Sequence, residues 1–105
     1  MAEDTVVAFV MIKTDFGADE DVAAAVSTLN YEDDQGNLRG VRWADVITGC
    51  YNVIAALRVA DEEEIRHFVV EEIPNIPGVR NPDTMVVTAH FKKGMLEPFG
   101  NNGHP

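Results

Sequence analysis

Few side chains in this sequence have both the type and the spacing to do chemistry. The chain has three histidines, one cysteine and one tryptophan. His67 falls among charged residues and reads as an exposed helix position. His90 closes an apolar stretch and reads as structural, and His104 lies in a Gly- and Pro-bearing tail. No two histidines share metal-ligand spacing with Cys50, which speaks against a zinc site. Cys50 also has no basic neighbour in sequence to favour a reactive thiolate. Asp61-Glu62-Glu63-Glu64 reads as the acidic start of a helix rather than a carboxylate pair for acid–base work. Asp33-Asp34 with Gly36 lacks the alternating ligands and terminal Glu of an EF-hand loop. Neither a phosphate-binding glycine loop nor a nucleophile elbow occurs. What stands out is Val46–Ile54, where apolar strand residues flank Gly49-Cys50-Tyr51-Asn52. Gly supplies backbone freedom and Asn tolerates turns, so this stretch reads as an antiparallel hairpin. Whether it is more than a turn depends on what surrounds it.

Composition narrows the function classes. The 105 residues suffice for one domain with one core. A net charge of −10 argues against direct nucleic-acid binding, which rests on Lys and Arg neutralising phosphates, and against an anionic membrane surface. The lone Cys50 excludes an intrachain disulfide, no apolar run approaches a membrane span, and the start Met1-Ala2-Glu3-Asp4 is acidic, unlike a secretory signal. The expectation is a cytoplasmic protein with neither metal nor cofactor.

Val6–Ile12 is a continuous, β-branched apolar run, as expected of a strand buried on both faces. A helix begins at Asp19 and presents Val22, Ala25, Val26 and Leu29 on one face. Residues 30–40 are polar and read as a mobile loop, pinned by Tyr31 and Leu38. Val41–Ile47 alternates only partly, as an edge strand does, with Trp43 packing at an edge or interface. Asn52–Val59 is nearly all apolar and reads as central. Asp61 caps a second helix with Glu64 in capping-box register, and Ile65, Phe68, Val69 and Ile73 form its buried stripe. Pro74 and Pro77 stop that helix. A fourth strand spans about Thr84–Phe91. The order is βαββαβ, the ferredoxin-like split βαβ arrangement: a four-stranded antiparallel sheet with two helices on one face. Residues 1–92 form this α+β domain, and 93–105 a flexible C-terminal tail.

Two helices cover one face, yet strands one and three are apolar at both parities. Val7, Phe9 and Met11 oppose Val6, Ala8, Val10 and Ile12; Ile54 and Ala56 oppose Val53, Ala55 and Leu57. Soluble monomers rarely expose such a patch. Burying some 500 Å² of it contributes on the order of 12 kcal/mol, against association costs of roughly 4–15 kcal/mol, so a sheet-to-sheet dimer is expected.

Two local signatures now carry a resemblance. Thr48-Gly49-Cys50-Tyr51-Asn52-Val53 is similar to the Gly-x-Tyr-Asp hairpin of the Lrp/AsnC (feast/famine) effector-binding domain, and Ile76-Pro77-Gly78-Val79 to that family's Pro-Gly-Val. The resemblance covers about Val6–Lys92. It is to the stand-alone form, because no residues precede the first strand to build the helix-turn-helix of full-length members. The resemblance implies homodimers assembling into higher oligomers or rings, and a small amino-acid-like ligand held between dimers. By position it assigns ligand contact to Gly49, Tyr51 and Asn52 in the hairpin and to Thr84, Met85 and Val86 near the last strand. Asn52 stands where the family usually has Asp; it either weakens or redirects recognition of a ligand ammonium, or is only a turn residue. The expected function is therefore a non-enzymatic regulatory binding module, acting alone or by co-assembly with a full-length Lrp/AsnC regulator. The alternative is a small cofactor-free monooxygenase-like enzyme of the dimeric α+β barrel type. It would place Trp43, Asn52 or His90 in a pocket inside one subunit.

Overall fold

The structure, a computed structural model, describes residues 5–97; the acidic start, residues 98–105 of the tail and His104 lie outside the described residues. The elements run β1 (Val6–Thr14), α1 (Asp19–Val26), β2 (Asn30–Glu32), β3 (Leu38–Val46), β4 (Val53–Val59), α2 (Glu62–His67), β5 (Val79–Val86), β6 (His90–Lys92) and β7 (Met95–Glu97). Strands β2-β3-β4-β1-β5 make one sheet, antiparallel at every junction, and β6-β7 form a separate hairpin. The ferredoxin-like order holds, with the two most apolar strands, β1 and β4, inside the sheet.

The sheet has five strands rather than the expected four. The polar stretch 30–40 is a hairpin, in which Asn30, Tyr31 and Glu32 pair with Gly40, Arg39 and Leu38. Its turn is held by Asp33, whose carboxylate accepts the backbone N–H groups of Asn37 and Gln35, both at 2.9 Å. The Asn37 bond is the main reason this carboxyl sits below the usual range. All three β2 side chains are exposed, so no alternation marks the strand. β2 covers only the first part of the outer edge of β3. Arg42 to Val46 remain unpaired on that side among the described residues.

The last strand is also displaced. It begins at Val79, not Thr84, and breaks after Val86, leaving His90–Phe91 to the β6-β7 hairpin. Pro82 lies within it, opposite Ile12. An edge strand tolerates a proline because one row of its N–H groups faces outward.

The helix-side core joins Ala8, Val10 and Ile12 of β1, Val41 of β3, and Val53, Ala55, Leu57 and Val59 of β4 to Val22, Ala23 and Val26 of α1 and to Ile65, Phe68 and Ile73. Ala23 is buried in α1, while Ala25 is half-buried. Each fully buried Leu, Ile or Val here contributes roughly 1.5–3 kcal/mol. α2 starts as expected: Asp61 accepts the Glu64 N–H at 2.9 Å, and Glu64 returns a bond to the Ala60 N–H at 2.9 Å. It does not continue as one α-helix to Pro74. Phe68–Glu72 form a wide π turn in which the Ile73 N–H reaches the Phe68 carbonyl, followed by a 3-10 turn over Ile73–Asn75. The five-residue spacing from Phe68 to Ile73 keeps both buried, which α-helical spacing would not.

Among the described residues no helix lies on the opposite face. Cross-strand pairing places Trp43, Ala56, Phe9 and Met85 in one row and Asp45, Ile54, Met11 and Asp83 in the next. Phe9 and Trp43 touch, with ring centroids 6.1 Å apart. Phe9, Met11, Trp43 and Ile54 remain half-exposed and Met85 is 52% exposed.

Gly40 joins the sheet to the helix layer. Its φ is +104°, and a Cβ there would lie 2.6 Å from the Leu29 carbonyl oxygen and 2.9 Å from Phe68 Cζ. Gly40→Ala therefore combines left-handed strain with overpacking. It is expected to lower stability by about 2–4 kcal/mol, read as a lower urea midpoint at unchanged slope.

Candidate functional site

The β3–β4 hairpin closes with the Ile47 N–H donating to the Asn52 carbonyl at 2.8 Å, leaving Thr48–Tyr51 as the loop. Gly49 sits at φ +143° in open space, and Cys50 is exposed. Asn52 ties this loop to β1 at two points. Its N–H donates to the Ile12 carbonyl at 3.0 Å, and its Oδ1 accepts the Thr14 N–H at 2.9 Å. Thr14 lies at the β-bulge where β1 and β5 shift register. The Asn52 side-chain oxygen thus satisfies a ladder donor that the bulge leaves over, which is a structural task.

Tyr51 turns the other way. Its hydroxyl donates to Asp83 Oδ2 of β5, and Lys13 Nζ lies 5.6 Å from its ring centroid. The result is a phenol, a carboxylate and an ammonium grouped at one end of the open sheet face. That set can orient a small zwitterion, with the carboxylate accepting from a ligand ammonium and the lysine facing a ligand anion. The bond to Asp83 pushes the Tyr51 phenol above its ordinary value.

Of the expected contacts near the last strand, Met85 lies opposite Phe9 on the open face. Thr84 and Val86 lie opposite Val10 and Ala8, whose side chains enter the helix-side core. Three consecutive strand residues cannot line one surface. The structure therefore brings Tyr51 and Met85 to the same face as Asp83, and leaves Thr84 and Val86 turned from it. Asp83 and Lys13 were missed by sequence reasoning. The signal for Asp83 was present: once β5 starts at Val79, the alternation through Met85 puts Asp83 on the open face.

The enzyme reading requires Trp43, Asn52 or His90 inside a pocket of one subunit. A pocket of 370 Å³ does lie between residues 28–31, at the start of β2, and residues 64–72 of α2 and the π turn, but none of the three lines it. Trp43 packs on Phe9, and His90 starts the separate β6-β7 hairpin. Among the described residues no group of His, Cys, Asp or Glu is arranged to hold a metal ion, and no helix is long and apolar enough to cross a membrane.

Both tyrosines donate to a carboxylate, Tyr31 to Glu64 and Tyr51 to Asp83. The Glu64 bond raises Tyr31 to about 12. The neutral phenol is the form held, so each contact persists below the ordinary tyrosine range; that of Tyr31 is lost as pH climbs through about 12. In an ultraviolet titration of phenolate absorbance, both are expected to ionise late. Glu64→Gln and Asp83→Asn should each return one tyrosine toward about pH 10.

Comparison with known proteins agrees with this architecture. A family model described as the Lrp/AsnC ligand binding domain matches residues 7–96. An uncharacterized HTH-type transcriptional regulator of Pyrococcus abyssi is 28% identical over 54 residues, which is 51% of this chain and 34% of the relative. The match thus spans about a third of that relative's length. A solved protein of Thermus thermophilus superimposes with a TM-score of 0.69 at 23% identity, covering 84% of this chain and 99% of that one. Escherichia coli AsnC gives 0.64 at 19% identity over 79% of this chain and 50% of its own. A Neisseria meningitidis transcriptional regulator, solved as its L-Met complex, gives 0.65 at 21% identity over 89% and 56%. At these identities the structural likenesses establish the fold.

Proposed function

The chain belongs to the Lrp/AsnC ligand-binding domain family, and on that premise we propose that it is a non-enzymatic regulatory module that binds a small amino-acid-like metabolite at the β3–β4 hairpin. The observation that carries this reading is the junction of Tyr51 with Asp83 beside Lys13, at the margin of an apolar sheet face that no helix covers. The solved L-Met complex of the Neisseria regulator, a protein with the same fold, supports an amino acid as the ligand class.

In this reading Asp83 takes the ligand ammonium, supplying the carboxylate that Asn52 does not. Tyr51 holds Asp83 in place, Gly49 admits the ligand backbone, and Met85 meets its apolar side chain, with Thr84 and Val86 at the border. Asn52 acts by fixing the loop through Thr14. Two copies meet through the row Trp43, Phe9 and Met85, and these dimers associate further so that the hairpin sites lie between them. A full-length regulator with the same fold would present a comparable sheet face, and in this reading the chain also co-assembles with one, in the cytoplasm.

Two measurements test this. Isothermal titration with the common amino acids is expected to show binding that Asp83→Asn weakens about 10- to 100-fold, the loss of one charge-assisted bond. Heat unaffected by Asp83→Asn, or none from any amino acid, discards the hairpin site. Sedimentation at micromolar concentration is expected to show a dimer or larger species, which Met85→Asp shifts toward monomer. A folded wild-type monomer discards the sheet-to-sheet assembly.

A further inference from the structure

We propose a second ligand site, for a small organic cation, in the 370 Å³ pocket between the start of β2 and α2 with its π turn, away from the β3–β4 hairpin. Its floor is apolar: Phe68 is 4% exposed and Leu29 packs against the core. Its rim is acidic and oriented. Glu64 and Glu72 both line it, together with Tyr31 and His67.

The rim side chains are held rather than free. Glu64 accepts the Ala60 N–H through one oxygen and the Tyr31 hydroxyl through the other. His67 lies between two carboxylates, with Nδ1 3.3 Å from Glu71 and Nε2 2.9 Å from Glu72. This second contact depends on the π turn. In an α-helix, residues five apart diverge by about 140° around the axis, so Glu72 would leave the His67 side. The i→i+5 geometry of Phe68–Glu72 brings it back onto the pocket wall. Such turns are rare and occur frequently at functional sites.

The ligand class follows from the wall chemistry. A carboxylate accepts through several lone pairs, so Glu64 and Glu72 keep acceptor capacity beyond their internal bonds, and an ammonium brings three donors. The apolar floor under Tyr31 suits a short hydrocarbon or aromatic body attached to that ammonium, which a bare inorganic ion would leave unused. The net charge of −10 raises the local concentration of cations. This inference is independent of the hairpin reading, because no residue is shared between the two sites.

The test is a backbone NMR titration with 2-phenylethylamine at neutral pH and low salt. Expected are shifts at residues 28–31 and 64–72, with a Kd on the order of 1 mM. Glu64→Gln and Glu72→Gln, each isosteric, should weaken binding about tenfold apiece while circular dichroism stays unchanged. Glu72→Gln leaves the α2 cap intact and so keeps the test valid if Glu64→Gln perturbs the fold. Asp83→Asn should leave the shifts at residues 28–31 and 64–72 unchanged. Three results would overturn the proposal: no shifts up to about 10 mM, shifts confined to the surroundings of Tyr51 and Asp83, or equal binding of 2-phenylethanol.

Discussion

β1 is apolar at both parities, and only alternate residues find a helix. Ala8, Val10 and Ile12 enter the helix-side core, while Phe9 and Met11 face the side on which no helix lies among the described residues. β4 repeats the pattern with Val53, Ala55 and Leu57 against Ile54 and Ala56. A sheet of this kind needs two covers, and α1 and α2 supply one. The remaining apolar rows organise much else in the molecule. They mark where another copy would sit, with the exposed Tyr51–Asp83 pair at their margin.

The hairpin is rigid for reasons that lie outside it. Asn52 bonds to both Ile12 and Thr14, so the loop is fastened to the end of β1 where the bulge interrupts pairing with β5. Tyr51 fastens the other side of the loop to β5 itself. Tyr51 and Asn52 thus tie the β3–β4 connection to two further strands, β5 and β1. A ligand meeting this corner finds groups already oriented, which lowers the entropic cost of binding.

Much of the fold could be read from residue order. The β-branched run Val6–Ile12, the Asp61–Glu64 cap and the Gly49–Asn52 punctuation each act locally, and each is found where local chemistry puts it. What could not be read depended on partners distant in sequence. β2 is held by Asp33 and by pairing to β3, not by burial, so it carries no hydrophobic period. β5 contains Pro82, which argues for a break unless the strand is known to be an edge. The π turn needs Phe68 and Ile73 to reach one core from five residues apart, which neither reveals alone. The same limit applied to the site. Tyr51 and Asn52 were visible as hairpin residues, but Asp83 joins Tyr51 only when register sets it across from Met11.

Charge is partitioned in a way that lets the two faces serve different ends. From Asp19 to Val26 and from Asp61 to Glu72 the chain carries nine of its 18 acidic residues, with Arg66 the lone Lys or Arg. The four long strands β1, β3, β4 and β5 carry Lys13, Arg39, Arg42, Arg58 and Arg80 against only Asp45 and Asp83. Burial chiefly, and then the nearby Arg42 and Arg39, draw the Arg58 guanidinium below its ordinary value. A net charge of −10 would ordinarily oppose self-association. Here the repulsive charge lies on the helices, facing away from the bare side of the sheet, so two sheets can approach without bringing their acidic surfaces together. The same separation concentrates negative potential over the helix layer, where the pocket above Phe68 opens. The self-association proposed for the open face and the cation binding proposed for the pocket both draw on this one division of charge between the two layers.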